Sequence, residues 1–187
     1  MRLFVALVPP AGLRAALARE VERRRGGLPR ARWVRAEHLH LTLAFLGEAA
    51  AQAVAPLAAA LAARVGARKR FTARLGAAGA FPERGPVRVV WAGLEPEAEL
   101  AALAAAARAA AVDAGLACDD KPFRAHLTLA RCPQPWPPPA RAALAGLLES
   151  LAGSELAVER VALVDSRLAP GGPSYTTLAE SALGEAA

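Results

Sequence analysis

The chain has 187 residues, 55% of them hydrophobic, which suffices for one domain, 1–187, with a substantial core. No apolar run reaches the ~18 residues of a membrane span, and the opening MRLFVALVPPAGL has too short an apolar core for a signal segment, so a cytoplasmic protein with no membrane contact is expected. The net charge of +6, almost all arginine, favours polyanions such as nucleic acid, while the isolated Cys118 and Cys132 exclude a dense disulfide framework and a paired-cysteine metal site.

In chain order, 2–8 (RLFVALV) predicts a strand ended by Pro9-Pro10, and 11–25 has helical apolar spacing with a basic end. EHLHLTLAFLG (37–47) predicts a buried strand carrying two of the three histidines. A helix over 49–65 and a strand near 70–76 follow. After a loop at 81–86, VRVVWAGL (87–94) predicts a strand and 95–115 a helix, with early Glu and late Gly suited to its ends. Then HLTL recurs at 126–129, followed by a proline-rich loop at 133–139, a helix near 140–151, and strands near 156–164 and 174–180. Strand, helix, HLTL strand, helix, strand therefore occurs twice. The fold class expected is α+β and bilobal, with pseudo-symmetric lobes at about 1–80 and 87–187, each holding a sheet and helices around a shared cleft.

Strand alternation sets the side-chain directions. Leu39, Leu41, Leu43 and Phe45 are expected on one face with His40 and Thr42 on the other; Leu127 and Leu129 likewise oppose His126 and Thr128. The leucines anchor each strand, and each His–Thr pair is costly in a core unless it lines a cleft. Two histidines meeting across a cleft suit in-line displacement at phosphorus. One imidazole removes a proton from the attacking oxygen and the other protonates the leaving oxygen, both near the unperturbed pKa of ~6.5. Threonine hydroxyls donate to non-bridging oxygens. His38 has no counterpart in the second half and reads as an ordinary packed residue; a metal site from His38, His40 and His126 is disfavoured, because alternate residues of one strand make an awkward ligand pair. Neither metal nor cofactor is expected.

The two HxTx motifs, His40-Leu41-Thr42-Leu43 and His126-Leu127-Thr128-Leu129, lie 86 positions apart, and with RWVRAEHLHLTLAFLGE (32–48), KPFRAHLTLAR (121–131), MRLFVAL and DSRLAPGGPSYTTL (165–178) the chain resembles the 2H phosphoesterase superfamily. The branch it resembles is the bacterial and archaeal 2′-5′ RNA ligase, or RNA 2′,3′-cyclic phosphodiesterase. The resemblance implies metal-independent hydrolysis of an RNA 2′,3′-cyclic phosphate end to a 2′-phosphate; the expected partner is RNA with such an end, tRNA fragments among them, and the expected state is a monomer. It further implies His40 and His126 as acid and base and Thr42 and Thr128 as phosphate holders. Arg131 matches a basic residue used near the phosphate, although strict alternation puts it on the leucine side unless the strand ends or bulges there. Phe45 and Tyr175 are candidates for base or ribose contact. The ligase name describes the reverse direction, which forms a 2′-5′ linkage. A non-catalytic RNA-binding module and a phosphodiesterase for another small cyclic phosphate are the alternatives.

Overall fold

The first strand, β1 (Arg2–Leu7), has Leu3, Val5 and Leu7 in the main core and Phe4 and Ala6 in a second, smaller apolar cluster. A strand apolar on both faces belongs inside a sheet. In the computed structural model, which describes residues 1–119, 121–169 and 172–185, β1 lies between β3 (Leu41–Glu48) and β8 (Arg160–Ala169), with β9 (Gly172–Ala182) outside β8. The second sheet has five strands in the order β2 (Arg32–Trp33), β6 (His126–Trp136), β5 (Val87–Glu95), β4 (Phe71–Phe81) and β7 (Glu155–Val158). All strand pairings in the two sheets are antiparallel. The fold is α+β with one sheet per lobe.

The sheets interleave the halves expected at 1–80 and 87–187. The four-stranded sheet takes β8 and β9 from the second half, and the five-stranded sheet takes β2 and β4 from the first. The single strand expected near 156–164 is two strands, β7 and β8, lying in different sheets. Antiparallel closure brings distant segments together whenever their apolar faces match, and sequence order does not fix which partner is chosen.

The helices follow the same exchange. Helix α1 (Ala11–Arg24) buries Leu17 and Val21 beside Trp33, Val34 and Leu129, toward the five-stranded sheet. Helix α2 (Val54–Gly66) buries Leu57, Leu61 and Val65, spaced four apart, and packs on α3 (Glu97–Asp113) and β9. α3 lies against β3, its Glu97 and Glu99 in the first turn favoured by the helix dipole. Beyond Asp113 the chain turns at Gly115, whose φ of 72° lets the Leu116 N–H reach the Ala111 carbonyl.

Three expectations are corrected. α2 begins at Val54 and not near 49, because Pro56 lacks an N–H and fits only a first turn. The stretch 133–139 is not wholly a loop: β6 continues to Trp136, which is 1% exposed and donates its Nε1–H to the Arg30 carbonyl at 3.0 Å. Pro133 and Pro135 are tolerated because β2 pairs only with Ala130 and Arg131, and the β5 register jumps from Val89–Arg131 to Val87–Trp136. The segment near 140–151 forms short 3₁₀ turns at Pro138–Leu144 and Glu149–Leu151; Leu144, Leu147 and Leu148 are buried at helical spacing, but the prolines at its start and Gly146 within it oppose a continuous α-helix.

Candidate active site

The motif leucines do the anchoring. Leu41, Leu43, Leu127 and Leu129 are 0–2% exposed, and full burial of each such side chain contributes roughly 1.5–3 kcal/mol. Their burial holds the opposite face in place. His126 and Thr128 stand on that face of β6; Thr42 does so on β3, with His40 just before its first residue. His38 is not on the strand at all but ends a 3₁₀ turn, Ala36–His38, its ring edge-on to Tyr175 at 4.9 Å.

Both strands break alternation at the same place. In β3 the register with β1 skips Leu43, since Thr42 pairs with Ala6 and Ala44 with Val5; in β6 the register with β5 skips Leu129, since Thr128 pairs with Trp91 and Ala130 with Val90. Each motif's last leucine is thus the extra residue of a β-bulge. Leucine and the following alanine are both buried, and the next residue, Phe45 or Arg131, turns onto the histidine face. The placement of Phe45 on the leucine face is corrected accordingly, and Arg131 reaches the cleft side through its bulge.

The two imidazoles are held identically. His40 Nδ1 lies 2.7 Å from the His38 carbonyl, and His126 Nδ1 lies 2.7 Å from the Arg124 carbonyl. A carbonyl oxygen only accepts, so Nδ1 carries the hydrogen in both rings and Nε2 is left for chemistry. The His40 ring stacks on Phe4 at 4.8 Å and meets Tyr175 edge-on at 5.3 Å. The His126 ring meets Phe81 at 5.1 Å and Trp91 at 6.4 Å, each edge-to-face. Burial is the main force lowering both histidine pKa values below the ordinary imidazole value; the carbonyl bonds oppose it and the positive charge of Arg131 adds to it. His38 and His126 also lower His40, and Arg124 lowers His126. Burial raises the Tyr175 phenol, with Arg131 and Arg2 opposing.

β3 lies against β6, which brings the two motifs together, and Tyr175 stands beside the His40 ring. The two walls of the cleft differ. On the four-stranded sheet Phe4, Ala6, Ala162 and Val164 form an apolar floor against which Phe45 and Tyr175 pack, with Arg2 lying 5.1 Å over the Phe45 ring. On the five-stranded sheet Trp91 occupies the space above Gly79, where an added Cβ would come within 2.3 Å of the indole. Phe4, Phe81 and Trp91 were not expected as site residues; they sit on neighbouring strands, and only the pairing register places them beside the histidines. Among the described residues no group of three or more His, Cys, Asp and Glu side chains is arranged to hold a metal, and no helix is long and apolar enough to cross a membrane.

The chain is similar to known proteins over most of its length. An RNA 2′,3′-cyclic phosphodiesterase of Thermus thermophilus is 39% identical over 195 residues, covering 98% of this chain and 90% of that protein. One of Geobacillus stearothermophilus is 34% identical over 128 residues, 68% of this chain but only 41% of that protein, so the match spans less than half of that relative. The crystal structure of Escherichia coli LigT complexed with 3′-AMP superposes with a TM-score of 0.75 at 32% identity, covering 97% of each chain. The family description 2′-5′ RNA ligase superfamily matches residues 13–169, a span that includes both HxTx motifs, and the chain belongs to that superfamily.

Proposed function

We propose that the protein hydrolyses RNA 2′,3′-cyclic phosphate ends to 2′-phosphates by metal-independent two-histidine catalysis. The observation that carries this reading is the matched pair of carbonyl-locked imidazoles, His40 and His126, each with Nε2 free on the cleft face of its sheet. The names of the relatives support the substrate class.

In the reaction, neutral His126 takes a proton from water at Nε2 as the water oxygen bonds to phosphorus. The P–O3′ bond opens opposite, and protonated His40 delivers its Nε2 proton to O3′. The lowered pKa values favour the neutral ring in the free protein, which suits the base; the bound phosphate anion counters the Arg131 charge and favours the protonated acid. Thr42, Thr128 and Arg131 bind the non-bridging oxygens, each well-placed donor contributing about 3 kcal/mol. Phe45 and Tyr175 carry the base or ribose. A ribose 5′-hydroxyl in place of water gives a 2′-5′ linkage by the same displacement.

The test is an oligonucleotide ending in a 2′,3′-cyclic phosphate, incubated with the protein and excess EDTA and read by phosphorus NMR. A single 2′-phosphate product is expected. Exclusive 3′-phosphate would reverse the assigned leaving oxygen, and loss of turnover on chelation would replace two-histidine catalysis with a metal mechanism.

A further inference from the structure

The shortest strand raises its own question. β2 is only Arg32 and Trp33, paired with Arg131 and Ala130 of β6. Directly opposed residues of an antiparallel pair share a face. Trp33 packs against the core opposite the fully buried Ala130, its ring 6.3 Å from that of Trp136. Arg32 therefore shares the other face with Arg131, the face of His126 and Thr128.

Two arginines directly opposed repel each other. Both are exposed, and among the described residues neither has a carboxylate within ion-pair distance. The nearest acidic residue in sequence, Glu37, is engaged by Arg35 at 2.7 Å. An arrangement that costs stability in the free protein is offset when an anion occupies it. His126 and Arg131 stand on β6, and β2 is the edge strand beyond it, so Arg32 stands one strand farther than Arg131 from the reacting phosphorus. Neighbouring strands are ~4.8 Å apart, and a guanidinium reaching from the next strand suits the next phosphate of a single RNA strand.

We infer that Arg32 binds the phosphodiester one nucleotide 5′ of the reacting end, so that the site selects oligonucleotide ends over mononucleotides. This rests on the proposed cyclic-phosphate substrate. Arg131 holds the reacting phosphate and Arg32 its neighbour, while the terminal base lies toward the aromatic wall of Phe45 and Tyr175.

Two measurements test it. First, kcat/KM is compared for a dinucleotide and a mononucleoside, each ending in a 2′,3′-cyclic phosphate. Arg32→Gln is expected to lower the dinucleotide-to-mononucleotide ratio about tenfold, mainly through KM, and Arg32→Lys to restore part of it; an unchanged ratio overturns the inference. Second, binding of a labelled single-stranded RNA is followed against salt. Losing one phosphate contact lowers the slope of log affinity against log salt by about 0.7. An unchanged slope in Arg32→Gln likewise overturns it. Because the second measurement needs no turnover, failure of the phosphodiesterase reading and failure of this one are distinguishable.

Discussion

Leu43 and Leu129 are the extra residues of two bulges at the same position of the two motifs, and they turn Phe45 and Arg131 onto the histidine faces. The duplication therefore extends beyond HLTL to a backbone irregularity, and the residue it presents differs between the two copies. One bulge offers an aromatic ring to the cleft and the other a cation.

Arg131 acts on substrate and histidines together. Arg131→Gln is expected to lower kcat/KM on a cyclic-phosphate RNA by ~10²-fold, the loss of one well-placed donor to developing charge. Because its positive charge lowers the pKa of both histidines, its removal raises them, and the acidic limb of the pH–rate profile shifts to higher pH. A profile that stays in place would mean that the guanidinium lies away from the imidazoles.

The histidines are expected to separate cleanly by substitution. His40→Ala and His126→Ala each lower turnover ~10²-fold or more, with melting temperatures near that of the wild type, because leucines hold the strands. His38→Ala has a much smaller effect, since its backbone carbonyl, not its ring, orients His40. Equal loss in all three folded variants would contradict these roles.

Stability should fall in mild acid. The folded pKa values of His40 and His126 lie below the unfolded value of ~6.5, so their contribution is complete above that pH and is lost as pH falls through the lowered folded values. Melting temperature measured from pH 8 to pH 4.5 is expected to drop on the acid side, with a smaller drop in His40→Gln than in the wild type.

Thr42→Val and Thr128→Val keep the branched shape and remove the hydroxyl. Each is expected to slow turnover by ~10-fold or more without changing the product isomer, because the histidines, and not the threonines, set the line of attack. Chromatographic separation of 2′- and 3′-phosphate products checks both parts.

Gly79→Ala tests the wall beside His126. The new Cβ would meet the Trp91 indole at 2.3 Å, so the ring must move, at a cost of about 1–3 kcal/mol. Reduced melting temperature, altered tryptophan fluorescence and slower turnover are expected together, since Trp91 lies 6.4 Å from His126. Unchanged fluorescence would show that the indole does not fill that space.

The sequence by itself determined the three α-helices and most of the strands in order, the duplicated HLTL strands and the side of each on which His and Thr stand, because alternation and helical spacing are local properties of the chain; it did not show β2, the 3₁₀ turns within 138–151 or the division of 156–164 into two strands. It also marked Arg131 as dependent on a bulge. Only the tertiary structure decided that β8 and β9 complete the first sheet while β2 and β4 join the second, since pairing depends on matching faces far apart in sequence. The bulges at Leu43 and Leu129 belong to the same class: each exists because the neighbouring strand offers one residue where two stand opposite, which no window along a single strand reveals. The carbonyls of His38 and Arg124, which orient the two imidazoles, left no sequence signal, because every residue carries a carbonyl and only the folded backbone aims it.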